Sequence, residues 1–158
     1  MVMELLSRIA ALVAVLGTGV VYGTDVFCAM VMRPALHHLD DNTLVTVMGH
    51  VHRYGDRRMP VPGVLGIVAA AISAATAAVC AHWLQAITAT VALGALLIWL
   101  LVYLRISAPI NRQLTAAADS GETLPDGRAL QAGWDAVINA RAALQGLAVA
   151  ALCVVLMI

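Results

Sequence analysis

Asp25 and Arg141 each interrupt an apolar run, where a charged side chain is unfavourable by ~2.5–3.5 kcal/mol at the centre of a membrane. Thr18, Tyr22, Asp25 and Ala29 recur at helical spacing and give the first run one polar stripe. In the last run Trp134, Ile138, Arg141 and Gln145 share a face, while Asp135 and Asn139 occupy another. At 1.5 Å per residue, Asp25 lies roughly 12 Å and Arg141 roughly 10 Å inside the apolar layer, so an ion pair between them is expected. Such a pair can act only as a register device, but ionisable groups at membrane depth read by default as functional.

A second concentration of chemistry is "GHVHRYGDRR", Gly49 to Arg58. His52 and Asp56 are helical neighbours four residues apart, so the carboxylate can hold one ring nitrogen and leave the other for general base catalysis or for a metal. His50 turns away, toward Tyr54 and Arg57. Histidines two apart share no helical face and the zinc pattern H-x-x-x-H is absent, so a metal is the weaker reading. The expectation is that this segment forms the lid and acid–base edge of a cavity floored by Tyr22, Asp25, Asn139 and Arg141. The competing reading is that its arginines serve only as an orientation signal. His37 and His38 read as solvated loop residues and His82 as an interfacial one. Cys28, Cys80 and Cys153 are isolated, with no CxxC pair, and read as small apolar packing residues rather than as a thiol-exchange site.

These residues are positioned by a chain that is 62% hydrophobic and only 11% charged, against roughly 25% charged residues in a soluble domain. Lysine is absent and nine arginines balance nine acids, which leaves no basic field for nucleic acid. Four apolar runs, at 9–32, 61–81, 84–104 and 136–158, each reach the ~20 residues a transmembrane helix needs. The fold expected is an all-α integral membrane four-helix bundle, a single transmembrane domain over 1–158 with short amphipathic helices in two connections. A cleaved signal peptide is the rival reading of the first run, disfavoured by its length and by the lack of an A-x-A site.

Seven arginines lie in the two longer connections or beside them and only Arg8 on the other side, which places both termini outside a cell membrane and those connections in the cytoplasm. Trp83 fits an outer aromatic belt, and Trp99, Tyr103 and Trp134 an inner one. The small residues of "GIVAAAISAATAAVCA" allow close helix packing, inside a monomer or in a homo-oligomer. In the first connection, Leu44, Val47, Met48 and Val51 define an amphipathic helix from Thr43 to Tyr54 capped by Asp41 or Asn42. In the second, Ser107 is placed to cap a helix that starts at Pro109 and carries Ile110 and Leu114 on one side. "DSGETLPDG" follows as a flexible loop.

"MVMRPAL" at the end of the first run, "APINRQL" after the third and "WDAVINAR" opening the fourth together resemble the anthrone oxygenase-like family of small four-helix membrane proteins. The positions that match the family pattern are Asn111, Arg112, Trp134, Asn139 and Arg141. A histidine, His52, stands where the family commonly has an asparagine, which opens the identity of the substrate. The resemblance implies oxidation of a small apolar phenolic metabolite by dioxygen. His52 or Asp25 would act as base, with Arg141 and Asn139 on the oxyanion, and Tyr22, Asn111, Trp134, Gln145, His50, Tyr54 and Asp56 around the substrate. The cofactor is open: none is needed in principle, and copper, iron or haem is the alternative. The other reading is a non-enzymatic membrane protein that binds a small molecule, metal or haem, or an accessory subunit of a membrane complex. Either way the partners expected are an apolar metabolite and membrane lipid.

Overall fold

The computed structural model describes residues 2–121 and 124–158, and among them every regular element is helical. Helix α1 spans Val2–Phe27 and passes through a π-helical turn, Cys28–Met32, into the short α2, Arg33–Leu36. Helices α3 (Asp41–Arg58) and α4 (Pro60–Val79) follow, then α5 (Trp83–Val102), a second π-helical turn (Tyr103–Ser107), α6 (Ala108–Ser120) and α7 (Gly127–Met157). Four of the continuous helical stretches are long and apolar enough to cross a membrane: Val2–Leu36, Pro60–Val79, Trp83–Ser120 and Gly127–Met157. The chain is therefore an all-α, multi-pass membrane protein.

Three of these stretches, of 35, 38 and 31 residues, outrun the ~20 that hydrocarbon requires. Hydropathy ends the first and third at Met32 and Leu104, but the backbone continues through Pro34 and Pro109. A proline has no N–H to give and its ring crowds the carbonyl four residues back. The widened turns meet this: the N–H of Arg33 bonds to Cys28 O and that of Ala108 to Tyr103 O, each five residues back and one residue before the proline. Helix α3 is also longer than its apolar repeat, and its cap is Asp40 rather than Asp41 or Asn42. Asp40 is the extended residue and accepts from both the backbone N–H (3.0 Å) and the hydroxyl (2.6 Å) of Thr43. The Thr43 hydroxyl and amide hold its carboxyl below the ordinary value.

The chain divides into two compact units. The first comprises residues up to Gly23, Val61–Leu100 and Ala143–Ile158. Its core is mostly alanine, with Ala11 and Ala14 of α1, Ala69 and Ala70 of α4, Ala89 and Ala92 of α5, and Ala148, Leu152 and Val155 of α7. Small side chains let these backbones approach closely. At Gly17 a Cβ would stand 2.8 Å from the Pro62 carbonyl oxygen, and at Gly66 2.6 Å from Thr18 Oγ1, so no larger residue fits either position without moving a helix. Ser7 adds a polar tie, its Oγ 3.2 Å from the Ser73 carbonyl. Trp99 is buried here, not held in an inner aromatic belt; its ring packs at the small Gly63.

The second unit comprises Thr24–Pro60 and Leu101–Ala142. Helices α3 and α6 pack along their length around Leu44, Val45, Met48, Leu114 and Ala117. Gly49 sits against the Leu114 carbonyl and Ala118 too closely for any Cβ, and its own carbonyl accepts from the Thr115 hydroxyl at 3.1 Å. Arg53 pairs with Asp119, and Arg128 reaches both Asp41 and the Leu39 carbonyl. Gly121, at φ 67°, ends α6 in the left-handed conformation that suits a residue without a Cβ. Of the loop expected over 119–127, Glu122 and Thr123 lie outside the described residues.

Candidate functional site

The polar chemistry gathers inside the second unit. From α1, Asp25 is buried and accepts through Oδ1 from Arg141 Nη2 of α7 at 2.8 Å. The pair reasoned from equal depth is thus formed. Arg141 Nη1 donates to Ser107 Oγ at 2.8 Å, and the guanidinium lies over two rings, 5.2 Å from the centroid of Trp134 and 5.6 Å from that of Tyr103. Ser107 therefore does not cap α6. It makes no capping bond and has helical backbone angles, because the π-helical turn carries the helix through it and turns its hydroxyl to the arginine.

A second hub forms around Asp56 of α3. Its Oδ1 accepts from the Tyr103 hydroxyl and from Asn111 Nδ2, both at 2.8 Å. The carboxylate expected to clamp His52 is thus committed to two other donors, and it acts on the imidazole as a nearby charge. His52 itself is 5% exposed, with its ring 5.4 Å from that of Trp134. Burial pushes its pKa down to about 4, against the opposing pull of Asp56 and of Gln131, while the Arg141 charge adds to the lowering. The ring is neutral at physiological pH, and Nε2 is buried without a hydrogen-bond partner of good geometry among the described residues.

Two carboxamides have their orientation fixed by carboxylates. Asn111 gives its amide to Asp56, and Gln131 Nε2 gives its own to Asp135 Oδ1 at 2.9 Å. In each, the donor end faces the carboxylate, and among the described residues the buried carbonyl oxygen has no hydrogen-bond partner, nor has the indole N–H of Trp134. Orphaned buried polar atoms are rare because each costs ~1–3 kcal/mol. Those of His52, Gln131 and Trp134 lie together, the Gln131 side chain acting on the imidazole and the Trp134 ring 5.4 Å from it, and form the polar edge of the cluster. Among the described residues no set of three or more histidine, cysteine or acidic side chains is arranged to hold a metal ion.

The structure sorts the expected site residues. His52, Asp25, Arg141, Asn111, Trp134 and Asp56 come together in the second unit. Trp134 is buried between the imidazole and the arginine rather than placed in an aromatic belt, and Cys28 and Ile138 pack with it. Asn139 is exposed, because five residues past Trp134 is about 140° around the helix from the buried face. It cannot bind an oxyanion beside Arg141. His50 and Tyr54 are exposed as well, two residues to either side of His52, and Tyr54 carries the Arg58 guanidinium 5.2 Å above its ring. Tyr22 and Gln145 belong to the first unit, where Gln145 is buried and the Tyr22 ring packs at Gly146.

Four participants escape the sequence reading: Tyr103, Ser107, Gln131 and Asp135. Gln131 has a visible signal, since it continues the face of Trp134, Ile138 and Arg141 by one turn toward the N-terminus. Tyr103 and Ser107 have none, because the π-helical turn sets where they point. Set against models of protein families, curated proteins and solved structures, the chain matches none. What fold and site define is a class: a four-span, all-α membrane protein with a buried, charge-paired cluster.

Proposed function

We propose that the protein is an integral membrane oxygenase acting on a small apolar phenolic metabolite. The observation that carries this reading is the buried imidazole of His52, set against Gln131 and Trp134 with the Arg141 guanidinium over the same indole. Its support in the sequence is the resemblance of "MVMRPAL", "APINRQL" and "WDAVINAR" to the anthrone oxygenase-like family.

A substrate with an acidic C–H flanked by aromatic rings and a carbonyl gives its proton to His52, and the negative charge that develops on oxygen is met by Arg141 and the Trp134 N–H. The carbanion reduces dioxygen and adds to it. The peroxide then loses water: one oxygen atom stays as a new carbonyl, the other leaves as water with both hydrogens of the original CH2 group. The substrate supplies all four electrons, so no external reductant enters the balance. Asp25 is held by Arg141 and acts as the positioning counter-charge rather than as a base.

The test is oxygen uptake by purified protein with an anthrone-type substrate. One dioxygen consumed per quinone formed, with label from ¹⁸O₂ in the product carbonyl, is the expected result; two peroxide equivalents or no uptake would refute the reading. The arginine distribution supports both termini outside and the α3 and α6 connections inside the cell. A reporter fused after Ile158 is expected to be active only on the outer side, and cytoplasmic activity would reverse the orientation.

A further inference from the structure

A pocket lies in the first unit, remote in sequence from every residue of the proposed site. It is open to the surface, offers about 270 Å³ and is lined by Glu4 of α1, His82, Trp83, Leu84 and Gln85 around the start of α5, and Ile158. Its wall is divided by chemistry. Trp83 and Leu84 are apolar and 65% and 63% exposed, the disposition of side chains that meet lipid at an interface. Glu4, His82 and Gln85 supply the polar side.

Gln85 is the informative residue. It is 5% exposed, and its Oε1 is buried with no hydrogen-bond partner among the described residues. A buried amide oxygen left so costs as much as a lost hydrogen bond and is retained where something supplies a donor. The group nearest in kind along the wall is the Glu4 carboxylate, which also accepts only. One of its oxygens bonds Arg8 at 3.2 Å, on a half-exposed surface. An occupant must therefore present N–H or O–H donors to two oxygens, one of them charged, and an apolar body to Trp83 and Leu84.

We propose that this cavity binds the primary ammonium group of an amphiphile. A primary ammonium brings three donors and a positive charge, so it can satisfy Gln85 Oε1 and Glu4 together. A trimethylammonium group has the same charge and no donor. A phosphoglycerol head is anionic and meets the carboxylate with repulsion. The source of the ammonium is either a phosphatidylethanolamine molecule of the bilayer or a free long-chain amine.

The full chain, purified in detergent, is titrated with phosphatidylethanolamine, phosphatidylcholine and phosphatidylglycerol of identical acyl chains, and retention is read by native mass spectrometry. Phosphatidylethanolamine is expected to be retained about tenfold better than phosphatidylcholine, the size of one charge-assisted hydrogen bond. Gln85→Leu is expected to erase that preference. Glu4→Gln, at a half-exposed position that does not support the core, is expected to reduce it and serves as the deciding variant should Gln85→Leu misfold. Dodecylamine that displaces phosphatidylethanolamine identifies the ammonium alone as the feature read; failure to displace it assigns the site to the lipid. Equal retention of the ethanolamine and choline lipids, stronger retention of phosphatidylglycerol, or a preference untouched by both variants would overturn the assignment.

Discussion

Arg141→Met is expected to destabilise the protein by about 3–5 kcal/mol, because it takes the guanidinium away from the buried Asp25 carboxylate 2.8 Å from it. Asp25→Asn should be damaging for the mirror reason, with the guanidinium left beside Ser107 and two aromatic rings. The double variant Asp25→Leu/Arg141→Met separates fold from function. Two apolar residues of similar length remove both buried charges, and replacing a whole buried pair is often neutral or stabilising. Thermal unfolding in detergent should thus recover most of the loss, while oxidation of substrate stays at background because the oxyanion has lost its cation. Recovery of activity along with stability would show that the pair fixes helix register and nothing more.

His52→Ala should leave insertion and yield unchanged and lower turnover at least ~10²-fold, the usual contribution of a positioned base. Its pH behaviour is the sharper check. The imidazole is available as a base only when neutral, and burial has moved that transition from 6.5 down to about 4. The acid limb of kcat/KM is therefore expected near pH 4, with a plateau through the range where an ordinary histidine would titrate. Stability follows the same group. Between pH 6.5 and 4 the unfolded chain takes up a proton that the folded imidazole refuses, so this contribution is complete above 6.5 and is lost as pH falls. It amounts to about 3 kcal/mol by pH 4. The difference in unfolding temperature between wild type and His52→Ala should shrink over that interval. A constant difference would mean that His52 is solvated in the folded protein.

The site was legible in the sequence wherever it depended on helical periodicity and depth. The face of Trp134, Ile138 and Arg141, and the meeting of Arg141 with Asp25, follow from counting residues along two helices. The same counting carried through Tyr22 and Gln145 to the other compact unit, since periodicity gives a face and not a boundary. It failed at Asn139, which the family resemblance drew into the site although its own spacing points it away. It also failed at the ends of the apolar runs. Hydropathy treats Arg33 and Arg105 as the ends of spans, and nothing in it reports that Pro34 and Pro109 are carried inside continuous helices by a widened turn. Trp99 and Trp134 show a related limit: an aromatic residue near a charged boundary suits an interfacial belt, but burial is settled by neighbours as small as Gly63 or as polar as His52.

The π-helical turn at Tyr103–Ser107 makes backbone pitch itself a functional variable. Both bonds to Asp56 Oδ1 and the bond from Arg141 fall on residues in this turn or just past it: Tyr103 at its start, Ser107 at its end, Asn111 one turn beyond. Tightening of this turn to ordinary helical pitch, with the residue count unchanged, would swing everything downstream by about 100°. Tyr103 would keep its bearing while Ser107 and Asn111 turned off theirs. Every individual side chain could survive such a tightening and the cluster would still come apart, so its integrity is written in the pitch of the backbone here as much as in the identity of the residues.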